Sequence, residues 1–267
     1  MRILNAAVCV GFILFAITVN AQVPHKSVHQ LQHETYKHRS FRLELPGTDK
    51  ARIPLHPRQN PPEVEVFGFS PYWSGTDYQE YDWDLLTTVA FFGADVDSSG
   101  EIIDYHGFPV NSLINTAHSN GVKVVLTAVL FDSDDIDTLL SSVTYRQNLV
   151  SNLLTVVQTA GADGVNIDFE GMPSGQRANF VTFIQDLATA FHSAIDGSQV
   201  TVDLPAVDWG DQFDEAGLAD VCDGLFIMAY DYHWRSGPTT GPVSPLTSEG
   251  SDITQTVADY LSNTDDA

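Results

Sequence analysis

The sequence predicts an α/β protein of the TIM (β/α)8 barrel class, incomplete at about six of its eight βα units. Three observations lead there. From Glu63 to Ala267, apolar runs of strand length alternate with segments of helical periodicity, the order of consecutive βαβ units and hence of a parallel sheet. The 267 residues, 43% of them hydrophobic, suffice for one large core, and barrels of this size commonly form a single domain. No glycine-rich phosphate loop follows the first strand, which argues against the runner-up, an open doubly wound dinucleotide-binding sheet.

Residues 1–21 read as a secretory signal. Arg2 precedes an apolar run from Ala6 to Val19, and Val19-Asn20-Ala21 offers a small-residue cleavage site. The run is shorter than a membrane span, and no later segment reaches about 18 apolar residues. Export, to the extracellular space or a periplasm, is therefore expected. Cys9 falls within the signal and leaves Cys222 as the one cysteine of the mature chain, so no intrachain disulfide is expected.

Residues 22–62 carry five of the nine histidines and several prolines, and read as a solvated N-terminal arm or linker. A short helix fits Ser27 to Lys37. The spacing of His25, His29, His33 and His38 matches no closed metal site. Charge divides sharply at Pro62. The arm holds seven basic and three acidic residues, whereas the body from Glu63 holds four basic residues against 32 acidic ones. Such a body is a poor partner for nucleic acid or for anionic membrane surfaces. Nothing in the sequence specifies an oligomeric state.

The expected strands are Val64–Ser70, Leu86–Gly93, Val122–Phe131, Gly164–Phe169, Gln199–Val207 and Gly224–Tyr230. Helices are expected at Asn111–Asn120, Tyr145–Thr159, Gln176–Ser193, Phe213–Ala219 and Ile253–Ser262. Asp132-Ser133-Asp134-Asp135 suits a helix N-terminus, where acidic groups complement the dipole. Asp95 to Gly100 begins like a calcium loop, but His106 stands where the twelfth-position Glu belongs, and a plain turn is expected. Six strands leave two of the eight absent from this chain, with unpaired edges beside the first and sixth.

The candidate chemistry lies at Asp163-Gly164-Val165-Asn166-Ile167-Asp168-Phe169-Glu170. Strand alternation puts Asn166, Asp168 and Glu170 on one face and Val165, Ile167 and Phe169 on the other. Carboxyls on alternate positions cannot both ionise freely, so one is expected to hold a proton near neutral pH, as a general acid must. An acidic strand end also suits a solvated edge or half a metal site. Gly164 and the unbroken apolar alternation favour the catalytic reading.

The stretch resembles the D-x-x-D-x-D-x-E signature of glycoside hydrolase family 18, the chitinase-like family, with Asn166 in place of its usual second Asp. Met228-Ala229-Tyr230-Asp231 resembles that family's M-x-Y-D element, two strands later and in the right order. The resemblance implies a barrel, and a glycosidase that cleaves β-1,4-linked N-acetylglucosamine polymers with retention. Glu170 would protonate the glycosidic oxygen and then activate water. The substrate's own acetamide would serve as nucleophile, the substrate-assisted exception among glycosidases. Asp168 would orient that acetamide, and Tyr230 and Asp231 would contact it and the sugar. Asn166 would hydrogen-bond Asp168, and Met228 would line the sugar site. Asp163, of opposite parity, would support the strand. Trp73, Trp209 and Trp234 fall just past strand ends, where flat rings either stack on sugars or close the barrel top; Trp83 does not. No metal or organic cofactor is implied. Peptidoglycan or N-glycan cores are alternative substrates, and a non-catalytic sugar-binding barrel is the alternative from another class.

Overall fold

The computed structural model describes residues 26–47, 51–234 and 237–264; the expected signal at 1–21 lies outside them. Among the described residues seven strands form one sheet: β1 (Phe67–Pro71), β2 (Thr88–Val96), β3 (Ile102–Asp104), β4 (Lys123–Leu130), β5 (Gly164–Phe169), β6 (Gln199–Pro205) and β7 (Gly224–Met228). Six run parallel in the order β1-β2-β4-β5-β6-β7, and β3 folds back antiparallel on β2. The helices are α1 (Val28–Tyr36), α2 (Asn111–Ser119), α3 (Ser133–Ser141), α4 (Val143–Ala160), α5 (Arg177–Ala194), α6 (Glu215–Ala219) and α7 (Ile253–Thr264). This is a six-strand portion of a TIM barrel. Strand β1 is not paired with β7 among the described residues. Their rings nevertheless meet inside the curve of the sheet, with Phe69 and Phe226 4.9 Å apart edge to face.

Parity assigns the two faces. Val165, Ile167 and Phe169 of β5 are buried in the core formed with the outer helices. There Phe169 and Phe183 of α5 lie parallel with centroids 6.0 Å apart. Burying side chains of this size contributes about 1.5–3 kcal/mol each relative to leaving them in water, so the apolar face of β5 is strongly fixed. A one-residue slip would turn Asn166 and Asp168 into that core. Gly164 is required by the approach of β6. A Cβ there would stand 1.9 Å from the carbonyl oxygen of Gln199.

Helix boundaries follow local chemistry. Ser142 caps α4, accepting from the Tyr145 N–H, and Gly161 ends it in the left-handed conformation (φ 62°) that glycine adopts without steric cost. Asp132 caps α3 by accepting from the Asp134 and Asp135 N–H groups, as its acidic run suggests. The full helix was not legible: nine residues with Ile136, Leu139 and Leu140 inward give a short periodic signal. Strand β2 begins and ends later than expected, and Val64, expected in the first strand, is 71% exposed.

The reading of 22–62 as a solvated arm is corrected for its described part. That segment crosses the barrel and is pinned along its length. Its Glu44 carboxylate accepts from the Ser112 N–H (3.0 Å) and Oγ (2.8 Å) at the α2 N-terminus. The Arg52 guanidinium donates to the Ala160 carbonyl and Asn111, and Arg58 donates to the Trp83 and Leu86 carbonyls. Phe41, Leu43 and Leu45 pack on the core. Prolines and basic residues hid this because the pinning uses backbone carbonyls and cap positions, which have no compositional signature. No described helix is long and apolar enough to cross a membrane.

Gly164→Ala is expected to lower stability by about 2 kcal/mol through backbone displacement. Gly175→Ala, whose added methyl would meet nothing within 4 Å, should change it by less than about 0.5 kcal/mol. Urea unfolding of the two variants checks the contrast.

Candidate active site

Asn166 and Asp168 project from β5 into the interior of the curved sheet, both fully buried, with Asp203 of β6 beside them. Glu170 follows the last residue of β5, and its side chain is 15% exposed at the edge of a cavity. Thus the strand delivers its polar face to one place, and the C-terminal ends of parallel strands are where barrel chemistry concentrates. Tyr230 and Asp231, just past β7, line the same cavity with Met228. Its volume is about 740 Å³, room for sugar units. Asp231 takes a positive φ of 61°, a costly conformation for a non-glycine residue that concentrates at functional sites.

The electrostatics follow from crowding. Burial first, then the charge of Asp168, hold the Glu170 carboxyl well above its ordinary range, with Asp231 adding to the effect and a hydrogen bond from Ser27 opposing it. Asp203 is raised well above its usual value for the same two leading reasons, with Glu170 adding and Asn166 opposing. Glu170 therefore keeps its proton to higher pH than an ordinary glutamate, as a general acid must. Burial and the surrounding carboxylates also push Tyr230 upward, so it stays a hydroxyl that can donate.

The hydrogen bonds correct the expected role of Asn166. Its Nδ2 donates to Asp203 Oδ2 at 2.9 Å, and its Oδ1 accepts from Thr201 Oγ1 at 2.7 Å. Asn166 therefore holds Asp203 instead of Asp168. Parity alone could not choose between an upstream neighbour on β5 and a partner on β6. Asp203 was missed, although Val202-Asp203-Leu204 places one carboxyl between apolar neighbours on an inward position. Asp163 supports the strand as expected: its Oδ2 accepts from the Val124 N–H at 2.7 Å and lies 2.8 Å from His118 Nε2.

The tryptophans separate. Trp234 and Trp209 line the cavity, Trp209 at its rim with 81% exposure. Trp73 does not reach it. It lies stacked on Tyr36 of α1, centroids 5.4 Å apart at 18°, a correction that follows from the arm's covering position. Trp83 packs on Tyr81. Burial pushes the Cys222 thiol up to about 11, which suits core packing.

The arm also enters the site. Ser27 Oγ donates to Glu170 Oε1 at 2.6 Å. His29 Nδ1 lies 3.0 Å from Asp168 Oδ2, and its Nε2 lies 2.7 Å from the Tyr230 hydroxyl. Among the described residues, two groups bring histidine and carboxylate atoms within 4.8 Å of one another: His29 with Asp168 and Asp203, and His33 with Asp95 and His106. In the first, the imidazole is already engaged at both nitrogens. In the second, burial alone would raise the Asp95 carboxyl, but the imidazoles of His106 and His33 bring it down to about 2. The turn expected after Asp95 is present, with Asp97 Oδ1 accepting from the N–H groups of Ser99 and Glu101.

Comparison with known proteins agrees with this geometry. A model of glycosyl hydrolases family 18 matches residues 65–267. Human (Homo sapiens) di-N-acetylchitobiase is 33% identical over 184 residues, which cover 66% of this chain and 42% of that protein. A Bacillus subtilis (strain 168) protein described as a sporulation-specific glycosylase, YdhD, is 34% identical over 138 residues, 50% of this chain and 32% of that one. The chain thus spans less than half the length of these relatives. Catalytic domain 2 of the Ostrinia furnacalis Group II chitinase superposes with a TM-score of 0.66 at 20% identity, covering 74% of this chain and 60% of that one, a likeness of fold.

Replacing Asn166 with Asp would set a fourth carboxyl among three. A raised carboxyl is ionised in the unfolded chain before it is in the folded one, so stability falls as pH climbs from the ordinary carboxyl range towards the folded value. Asn166→Asp should therefore be less stable than the wild type by about 2–3 kcal/mol at neutral pH, with the deficit shrinking in acid. Urea denaturation at several pH values measures it.

Proposed function

The chain belongs to glycosyl hydrolase family 18, and on that premise we propose that it is a glycosidase of β-1,4-linked N-acetylglucosamine polymers, chitin-like ones first, acting by substrate-assisted retaining catalysis. The carrying observation is the Glu170 carboxyl, kept protonated by burial beside Asp168 and placed at the edge of a sugar-sized cavity. Glu170 gives its proton to the glycosidic oxygen as the bond to the anomeric carbon breaks. The acetamide oxygen of the same sugar attacks that carbon and forms an oxazolinium ion. Asp168 accepts from the acetamide N–H and offsets the positive charge that develops there, while the Tyr230 hydroxyl donates to the acetamide oxygen and orients it. Glu170, now a carboxylate, takes a proton from the incoming water, which opens the ring with retention. Trp234, Trp209 and Met228 supply flat or apolar surface along the cavity. The name of the human relative, a chitobiase, supports amino-sugar substrates.

A second substrate reading, peptidoglycan, is favoured by the Bacillus relative described as sporulation-specific. The leader-like residues 1–21 support export to a compartment where either polymer would be met. The presence of Glu170 favours catalysis over a sugar-binding protein without activity.

Glu170→Gln should reduce hydrolysis of chitin oligosaccharides about 100- to 10,000-fold, the range expected for a general acid–base group. Equal rates for the two proteins would remove the enzyme reading. Turnover of peptidoglycan fragments but not of chitin oligosaccharides would assign the cell wall. The wild-type rate should fall as pH rises through the raised Glu170 value, because the acid form is the active one.

A further inference from the structure

We propose that Ser27 and His29 are a resident ligand of the sugar site, an internal substitute for substrate that must leave before a sugar binds. This rests on the glycosidase reading above. A neutral imidazole presents one N–H donor and one acceptor nitrogen. With the proton on Nδ1, His29 donates to Asp168 Oδ2 and accepts from the Tyr230 hydroxyl, the two bonds an acetamide makes with its N–H and carbonyl. The ring is enclosed by Phe92, Phe69 and Tyr230, at centroid distances of 5.0, 5.5 and 5.6 Å. The Ser27 hydroxyl on Glu170 stands where a glycosidic oxygen or water would meet the acid. Ser27 also caps its own helix, accepting from the Gln30 N–H at 3.0 Å, so helix formation and site occupancy reinforce each other. The arm's basic balance opposite a strongly acidic body adds long-range attraction that salt weakens.

His29→Ala removes both mimicking bonds and leaves the anchors at Glu44, Arg52 and Arg58 in place. Its affinity for a thio-linked, non-hydrolysable chitotetraose, measured by calorimetry, should exceed that of the wild type at least tenfold. Hydrogen exchange of residues 28–36 should rise in His29→Ala without sugar, and in the wild type on adding the same analogue to saturation. Tighter sugar binding with these exchange changes supports the proposal; unchanged or weaker binding by His29→Ala overturns it. If neither protein binds sugar, the glycosidase reading fails separately, and exchange in His29→Ala that matches the wild type overturns the occupancy itself.

A different cluster carries a second assignment. We infer that His33, Asp95 and His106 bind one divalent transition-metal ion, zinc by donor set, which joins α1 to the barrel. His33 Nε2 lies 3.0 Å from Asp95 Oδ1, and His106 Nε2 lies 3.3 Å from Asp95 Oδ2. Ligands held about 2.0–2.1 Å from a tetrahedral zinc stand about 3.3 Å apart. Each Asp95 oxygen faces an imidazole nitrogen, so one carboxylate and two imidazoles converge within 4.8 Å of one another, as the ligands of one ion would. The remote nitrogens have outer partners: the Tyr72 hydroxyl is 3.5 Å from His33 Nδ1, and Asp104 Oδ2 is 3.7 Å from His106 Nδ1. Such partners orient metal-bound histidines. His106 is held at a positive φ of 44°, a strained placement that aims its ring into the cluster.

Titration of the untagged chain with zinc against a chromogenic chelator should give one ion per chain. His106→Ala and Asp95→Asn, checked for native circular dichroism, should lose at least tenfold in affinity. Zinc should also slow hydrogen exchange of residues 28–36, because His33 lies on α1. Absence of zinc binding by the wild type, or undiminished affinity in His106→Ala, overturns the assignment.

Discussion

Three carboxyls inside one curved sheet, Asp168, Asp203 and Glu170, cannot all be charged in so little water, and the rest of the molecule is arranged around that constraint. Burying an uncompensated carboxylate is costly, so protons are retained and hydrogen bonds are recruited. Asn166 and Thr201 tie down Asp203, and the outer apolar face of β5 keeps the polar face from slipping out of place. The acid character of Glu170 is thus a property of the strand pairing as much as of the residue.

The same constraint explains why the N-terminal segment matters. Two of the carboxyls find partners on it: the Ser27 hydroxyl donates to Glu170, and the His29 imidazole lies against Asp168. Their helix is positioned by groups remote from the chemistry, Glu44 at the start of α2 and the arginines on barrel carbonyls. Closure of the site and attachment of the arm are therefore separable, which makes single substitutions informative about one without destroying the other.

Much of this was legible from periodicity. The inward triad of Asn166, Asp168 and Glu170 follows from period-two alternation, whereas Met228 to Asp231, two strands further round the barrel, was legible through its likeness to the family's M-x-Y-D element. Long helices such as α4 and α5 repeat their pattern often enough to be read. Features that depend on tertiary partners were not legible. Asn166 could have bonded along its own strand or across to β6, and only packing selects Asp203. Trp73 follows a strand end as a sugar-stacking residue would, yet Tyr36 from the arm covers it. The arm itself has no buried stripe of the usual kind, because its anchors are charged side chains: arginines reaching backbone oxygens, and Glu44 accepting at the α2 N-terminus.

The protonation of Glu170 is the point on which the chemistry turns, and carbon-13 NMR of its side-chain carboxyl follows it directly. The carboxyl signal, assigned by its loss in Glu170→Gln, should titrate with its midpoint well above that of an ordinary glutamate. A titration midpoint at or below the ordinary value of 4.5 would contradict the account.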